Sequence, residues 1–152
     1  MTDRKKLSNF SIQDARSSFI LLPIFLMLIK DFTDILAWQK AQTFAVTAIT
    51  TLGSNDDITL KYEIIKAALS VPSAIAAGFE RRSQGEFKEF LYLAKSKSAE
   101  VRTLLLVAKD IQEIDQSTCD DLVSQVEDVS KLIYGFIKTF IDKKKKTTEA
   151  VA

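Results

Sequence analysis

The chain has 152 residues, which suits a single domain, and 47% of them are hydrophobic, enough to fill one core. It contains no histidine, so the most common general base and the most common zinc ligand are missing. The formal net charge is only +1, so any nucleic-acid binding must come from a local patch. We therefore expect no catalytic residues, no metal, no cofactor and no small-molecule substrate.

Only four glycines and two prolines interrupt a sequence rich in good helix formers, and this composition predicts an all-α fold. The single cysteine, Cys119, cannot form an internal disulfide, which suits a reducing compartment and predicts a cytoplasmic protein. We expect Cys119 to be a small buried residue near a helix start.

Residues 1–30 form an N-terminal extension that carries the apolar run 19–29. This run is shorter than the roughly 20 residues that a membrane-spanning helix needs, and no small-residue cleavage site follows it. Three alternatives stay open beside an ordinary helical extension. The run is the apolar region of a signal peptide, or it anchors the protein to a membrane, or translation begins at Met27 and the extension is absent.

Two helices follow. The first is predicted from about Asp31 to Thr51, before a stop at Gly53. Its apolar stripe comprises Ile35, Trp38, Ala45, Ile49 and Leu52. The second is predicted from about Ile58 to Glu80, with a kink or break near Pro72 because proline removes a helical hydrogen bond.

The third helix is predicted to begin at a capping box, Ser83 with Glu86, and to end near Ile114. It carries two apolar stripes: Phe87, Leu91, Ala94, Ser98, Val101, Leu105 and Ala108 form the first, and Phe90, Leu93, Leu104, Val107, Ile111 and Ile114 form the second. One bundle cannot easily bury both stripes, so the second predicts self-association.

The fourth helix is predicted from about Ser117 and carries an almost strict heptad of Cys119, Leu122, Val126, Val129, Ile133, Phe136 and Phe140. The pattern as a whole predicts an antiparallel up-and-down four-helix bundle over 31–142. Residues 143–152 form a basic and polar tail, which we interpret as a solvated terminus in preference to an RNA-binding tail.

A line of cations follows one face of the third helix at seven-residue intervals, which are roughly 10 Å apart. With the two arginines before the helix, the candidate nucleic-acid contacts are Arg81, Arg82, Lys88, Lys95, Arg102 and Lys109. The competing interpretation is a solvated stripe neutralised by neighbouring acids, since no stacking aromatic is evident on the same face. The candidate packing and assembly residues are Trp38, Pro72, Gly78, Phe90, Leu104 and Val107.

Three blocks, 34–41, 66–83 and 86–94 with Glu100 beyond them, resemble the bacterial 23S ribosomal RNA intervening sequence proteins. The sequence departs from the family pattern at Ala74, where asparagine is usual, and at Ala77, where glutamate is usual. Ser96 and Lys97 stand where Gly-Ser commonly occurs.

The resemblance implies a four-helix bundle that assembles into a ring-like homopentamer and has no established activity. It also relates the chain to accessory proteins of diversity-generating retroelements, which bind nucleic acid through basic surfaces. Family members commonly begin near the position of Met27. The expected partners are further copies of the chain and an RNA or an RNA-bound protein.

Overall fold

The computed structural model describes residues 29–54, 59–81 and 83–149, with side chains described as far as Ile141. A short 3-10 turn, Phe32–Asp34, precedes the first of four helices. The helices are α1 Leu36–Leu52, α2 Lys61–Phe79, α3 Gln84–Asp110 and α4 Gln116–Glu149. The predictions for residues 1–28 and for Arg82 fall outside the described residues.

The four helices pack in chain order, and α1 also packs against α4, which closes the bundle. Residues from Asp31 onward form one compact unit. No strand occurs in the described ranges, so the predicted all-α four-helix bundle is confirmed. The backbone of α4 continues to Glu149, through most of the segment that was predicted to be a tail.

The core follows the periodicity of α3 and α4. All seven residues of the first stripe on α3 are buried. The heptad residues of α4 are also buried, except for a half-buried Phe136. The ring of Phe87 packs edge-on against Phe136 and Phe140, with centroids 5.6 and 5.8 Å away, so the stripe and the heptad meet directly.

Cys119 lies inside this core, as predicted. Its thiol donates a long hydrogen bond to the carbonyl oxygen of Leu105 at 3.6 Å. Burial raises the pKa of Cys119, so the reactive thiolate is disfavoured and the residue acts as a small core side chain.

Helix α2 is continuous through Pro72, so a break, one of the two predicted effects of this proline, does not occur. Pro72 and its neighbours Val71 and Ile75 are buried. Proline removes one backbone hydrogen bond, and packing of the surrounding side chains keeps the helix continuous despite that loss. Gly78, one turn and a half further on, is buried where α2 approaches α3.

The start of α3 is fixed by Ser83, as predicted. Its hydroxyl oxygen accepts a hydrogen bond from the backbone N–H of Glu86 at 3.1 Å. The hydroxyl in turn donates to the Glu86 carboxylate at 2.9 Å, so this carboxylate bonds the serine side chain and not the backbone N–H of Ser83, and only half of the predicted capping box forms. One unsatisfied N–H of the first helical turn is thereby paired.

The end of α3 differs from the prediction, because the helix stops at Asp110 and not near Ile114. Gln112 takes a left-handed conformation with φ of 63°. Its N–H donates to the carbonyl of Lys109 at 2.9 Å, and the N–H of Glu113 donates to Ala108 at 2.9 Å. These two bonds form a Schellman motif, in which glycine is the usual residue at the left-handed position.

Replacing Gln112 with glycine should therefore stabilise the protein by about 0.5–1 kcal/mol, since relief of the left-handed strain exceeds the added entropy of the unfolded chain. Thermal unfolding followed by circular dichroism measures this change. Gln112→Ala is the matched control, because it keeps the strain and gains nothing. If Gln112→Gly were no more stable than Gln112→Ala, the left-handed conformation at this position would not be strained.

Candidate nucleic-acid interface

The predicted line of cations lies along the flank of α3 that faces α4. The Arg102 guanidinium is 3.0 Å from the carboxylate of Glu127 on α4. The ammonium of Lys95 lies 5.8 Å from the ring centroid of Tyr134, also on α4. Because Lys88 and Lys109 occur at the same seven-residue interval, they extend this flank toward the two ends of α3.

Three of the four cations in this line are paired with acids. Besides the Arg102 pair, Lys88 lies 3.8 Å from the Glu89 carboxylate and Lys109 lies 3.4 Å from that of Asp110. Such surface pairs contribute only about 0–1 kcal/mol each, so they can be exchanged for phosphate contacts. The acidic partners nevertheless lower the local positive potential, so the line attracts phosphate less strongly than four unpaired cations would.

Lys95 differs from the others because it lies against an aromatic ring. Tyr134 is 44% exposed, and a second ammonium, that of Lys138, lies 5.1 Å from the same ring centroid. Two helices thus bring two cations to one accessible aromatic side chain. Cations and an exposed aromatic ring are the elements of a single-strand nucleic-acid site.

Neither Tyr134 nor Lys138 was predicted as a site residue. The sequence shows Tyr134 immediately after the buried Ile133 of the α4 heptad, and Lys138 one turn later. This places both on a flank of α4 and not in its core. Their proximity to Lys95 depends on the packing register of α4 against α3, which the sequence alone does not give.

Arg81 lies in the turn before α3, and its guanidinium stacks over the ring of Phe90 at 4.9 Å. Lys95 is eleven residues beyond the start of α3, or about 16 Å along the helix. Arg81 therefore belongs to the end of the bundle and is not part of the Lys95 cluster.

The predicted packing residues fall into three groups. Pro72 and Gly78 are buried within the bundle. Trp38, Phe90 and Leu104 are half-buried, and the Trp38 ring packs edge-on against Phe32 at 5.2 Å. Val107 is 43% exposed. Of these residues, Val107 alone has an exposed apolar side chain.

Further large apolar side chains are exposed on two faces. The exposed part of the second stripe comprises Leu93 and Val107 on α3 and Ile111 directly after its last residue, and we call this set the α3 face. Ile114, predicted for the same stripe, is buried beyond the end of the helix. The outer sides of α1 and α2 expose Val46, Ile49, Tyr62 and Leu69, which we call the α1–α2 face.

A groove of about 460 Å³ lies between α1 and α4, and its lining includes Leu36, Lys40, Phe44 and Asp128. The ammonium of Lys131 donates a hydrogen bond to the carboxylate of Asp128 at 2.9 Å. The described residues contain no group of three or more potential metal ligands. No helix in the described ranges is both long and apolar enough to cross a membrane.

Comparisons with known proteins agree with the fold. The sequence model of the 23S rRNA-intervening sequence protein family matches residues 33–135. A crystal structure of a protein of unknown function, from the S23 ribosomal protein family of Bacteroides thetaiotaomicron VPI-5482, is similar with a TM-score of 0.63 and 17% sequence identity. That similarity covers 68% of this chain and 99% of the other. No curated protein matches the chain.

Proposed function

The chain belongs to the 23S rRNA-intervening sequence protein family, and from that premise we propose that it is a non-catalytic cytoplasmic protein that binds RNA and self-assembles. The observation that carries the RNA proposal is the meeting of Lys95 and Lys138, from two helices, at the exposed ring of Tyr134. Together with Arg102, these residues define what we call the α3–α4 basic face.

Electrostatics also support RNA binding at this face. The net charge of the chain is near zero, so long-range attraction to RNA depends on where cations gather. On the basic face, Arg102 has only Glu127 as an acidic partner, and this pair is partly exposed to solvent. A phosphate can replace that carboxylate at little cost, which adds a third cation to the site.

The test is a double variant, Lys95→Glu with Arg102→Glu. We expect it to weaken binding to a labelled RNA at least tenfold and to lower the slope of log affinity against log salt by about two, since two phosphate contacts are lost. Fluorescence anisotropy across a salt series measures both quantities. Circular dichroism checks that the double variant remains folded.

The matched control is Lys66→Glu with Lys97→Glu, which makes the same change in net charge away from the basic face. Lys66 is exposed on α2, and Lys97 pairs with Glu100 at 2.7 Å on a different side of α3. This control should retain most of the affinity. Salt-sensitive binding that is unchanged in the Lys95 and Arg102 variant would reject the proposed face.

Self-assembly is the second part of the proposal, and it is supported by the exposed apolar side chains. A ring in which identical subunits contact each other head to tail needs two different, complementary patches on every subunit. The α3 face and the α1–α2 face are two such patches, carried by different helices. We propose that the α3 face of one subunit packs against the α1–α2 face of the next, in the homopentamer that the family resemblance implies.

A further inference from the structure

We propose that the α3–α4 basic face selects unpaired RNA, with the ring of Tyr134 stacking on a base while Lys95 and Lys138 hold the neighbouring phosphates. This inference rests on the proposed RNA binding and specifies its substrate class. The juxtaposition that suggests it is one exposed aromatic ring with two ammonium groups 5.1 and 5.8 Å from its centroid.

The charges nearest the ring favour a compact site. Neither Lys95 nor Lys138 forms an ion pair with a carboxylate among the residues whose side chains are described. The other cations of the line, Lys88, Arg102 and Lys109, each have an acidic partner. Positive charge is therefore most available beside Tyr134, because the cations farther along this flank are each partly neutralised by a neighbouring acid.

The two lysines do not block stacking on the ring. Both come from exposed or half-buried positions on flexible side chains, so they can swing aside. A base stacked on an aromatic ring contributes more binding free energy than an exposed contact between a lysine and a ring. A base can therefore displace one ammonium from the ring, and the displaced ammonium then lies close to the flanking phosphates.

Duplex RNA cannot use Tyr134 in this way. In an A-form helix the faces of the bases are already stacked on each other, and proteins contact mainly phosphates and 2′-hydroxyls. Unpaired nucleotides in loops and ends expose a base face to an aromatic side chain. The ring should therefore add affinity for single strands and add almost nothing for duplexes.

The experiment compares Tyr134→Leu and Tyr134→Phe in the full-length protein, using a labelled oligouridine and a labelled RNA duplex of similar length. Tyr134→Leu should lower affinity for the oligouridine by roughly 5- to 100-fold, the range expected for one stacked base. Its affinity for the duplex should stay within about twofold of the parent protein. Tyr134→Phe keeps the ring and should retain the oligouridine affinity.

The results distinguish a failure of the stacking inference from a failure of the proposed RNA-binding face. If the leucine variant binds the oligouridine as tightly as the parent, or loses affinity for both RNAs equally, the stacking inference is overturned. If that happens while Lys95→Glu with Arg102→Glu still weakens binding, the proposed RNA-binding face stands and only the preference for unpaired bases fails. A parent protein that binds neither RNA would overturn both proposals.

Discussion

Replacing Gly78 with alanine should destabilise the protein by roughly 2 kcal/mol, which corresponds to a fall of about 8 °C in its melting temperature. A Cβ atom at this position would lie 2.4 Å from the Cβ of Phe90 and 3.0 Å from the Cδ2 of Phe87. The first of these atoms is attached directly to the backbone of α3, so a change of rotamer cannot move it away. Helices α2 and α3 would have to separate, which disturbs the most extensive helix–helix contact of the bundle.

Two opposing effects determine the size of this loss of stability. Overpacking of a rigid core contact costs about 3 kcal/mol at the upper end of its usual range, and the better helix propensity of alanine returns about 1 kcal/mol. Gly135→Ala is the matched control. Gly135 lies within α4, is exposed, and has no atom within 4 Å of a built Cβ.

The control should therefore stabilise the protein by about 0.5–1 kcal/mol, because only the propensity term remains. Replacement of glycine by alanine is thus expected to lower the free energy of unfolding at Gly78 and to raise it at Gly135. Urea unfolding of both variants measures these two changes. A Gly78→Ala protein as stable as the parent would mean that α2 and α3 do not approach each other as closely as described.

The periodic part of the fold was predictable because α3 and α4 bury large side chains at regular intervals. For α1 the apolar spacing predicted some of the buried residues wrongly. The predicted stripe includes Trp38 and Ile49, but Trp38 is half-buried and Ile49 is exposed, while Ala41 and Ala48 are completely buried. Alanine carries a weak hydrophobic signal, so close helix packing through small residues is hard to distinguish from an exposed surface.

The end of α3 was unpredictable for a different reason. Ile111 and Ile114 continue the apolar pattern, and Gln112 carries none of the signals that normally mark a left-handed helix terminus. For the candidate RNA site, the line of cations on α3 was visible in the sequence. Lys95 and Tyr134 are 39 residues apart in the sequence. Their contact depends on the packing register of α3 against α4, which no local pattern encodes.

Charges placed on either exposed apolar face should prevent the proposed self-assembly and leave monomers. We consider Leu93→Glu with Val107→Glu on the α3 face, and Val46→Glu with Leu69→Glu on the α1–α2 face. All four positions are 43–48% exposed, so the substitutions should leave the fold of the subunit intact. An uncompensated carboxylate in a desolvated interface costs several kcal/mol at each subunit contact, which is enough to dissociate a ring.

Native mass spectrometry of the parent and of both variants gives the number of subunits directly. The control is Ser124→Glu with Gly135→Glu, which adds the same charge at exposed positions of α4 and should preserve the assembly. If only the α3-face variant dissociates, the α3 faces pair with each other and the contact is symmetric. A parent protein that stays monomeric at high concentration would remove the basis for assembly altogether.

Mixing the two variants distinguishes a head-to-tail ring from other arrangements. Each variant keeps one intact face, and the intact face of one complements the intact face of the other. An equimolar mixture should therefore form a one-to-one heterodimer, which cannot grow because both of its outer faces carry the introduced charges. Larger species in the mixture, or no association at all, would contradict packing of the α3 face against the α1–α2 face.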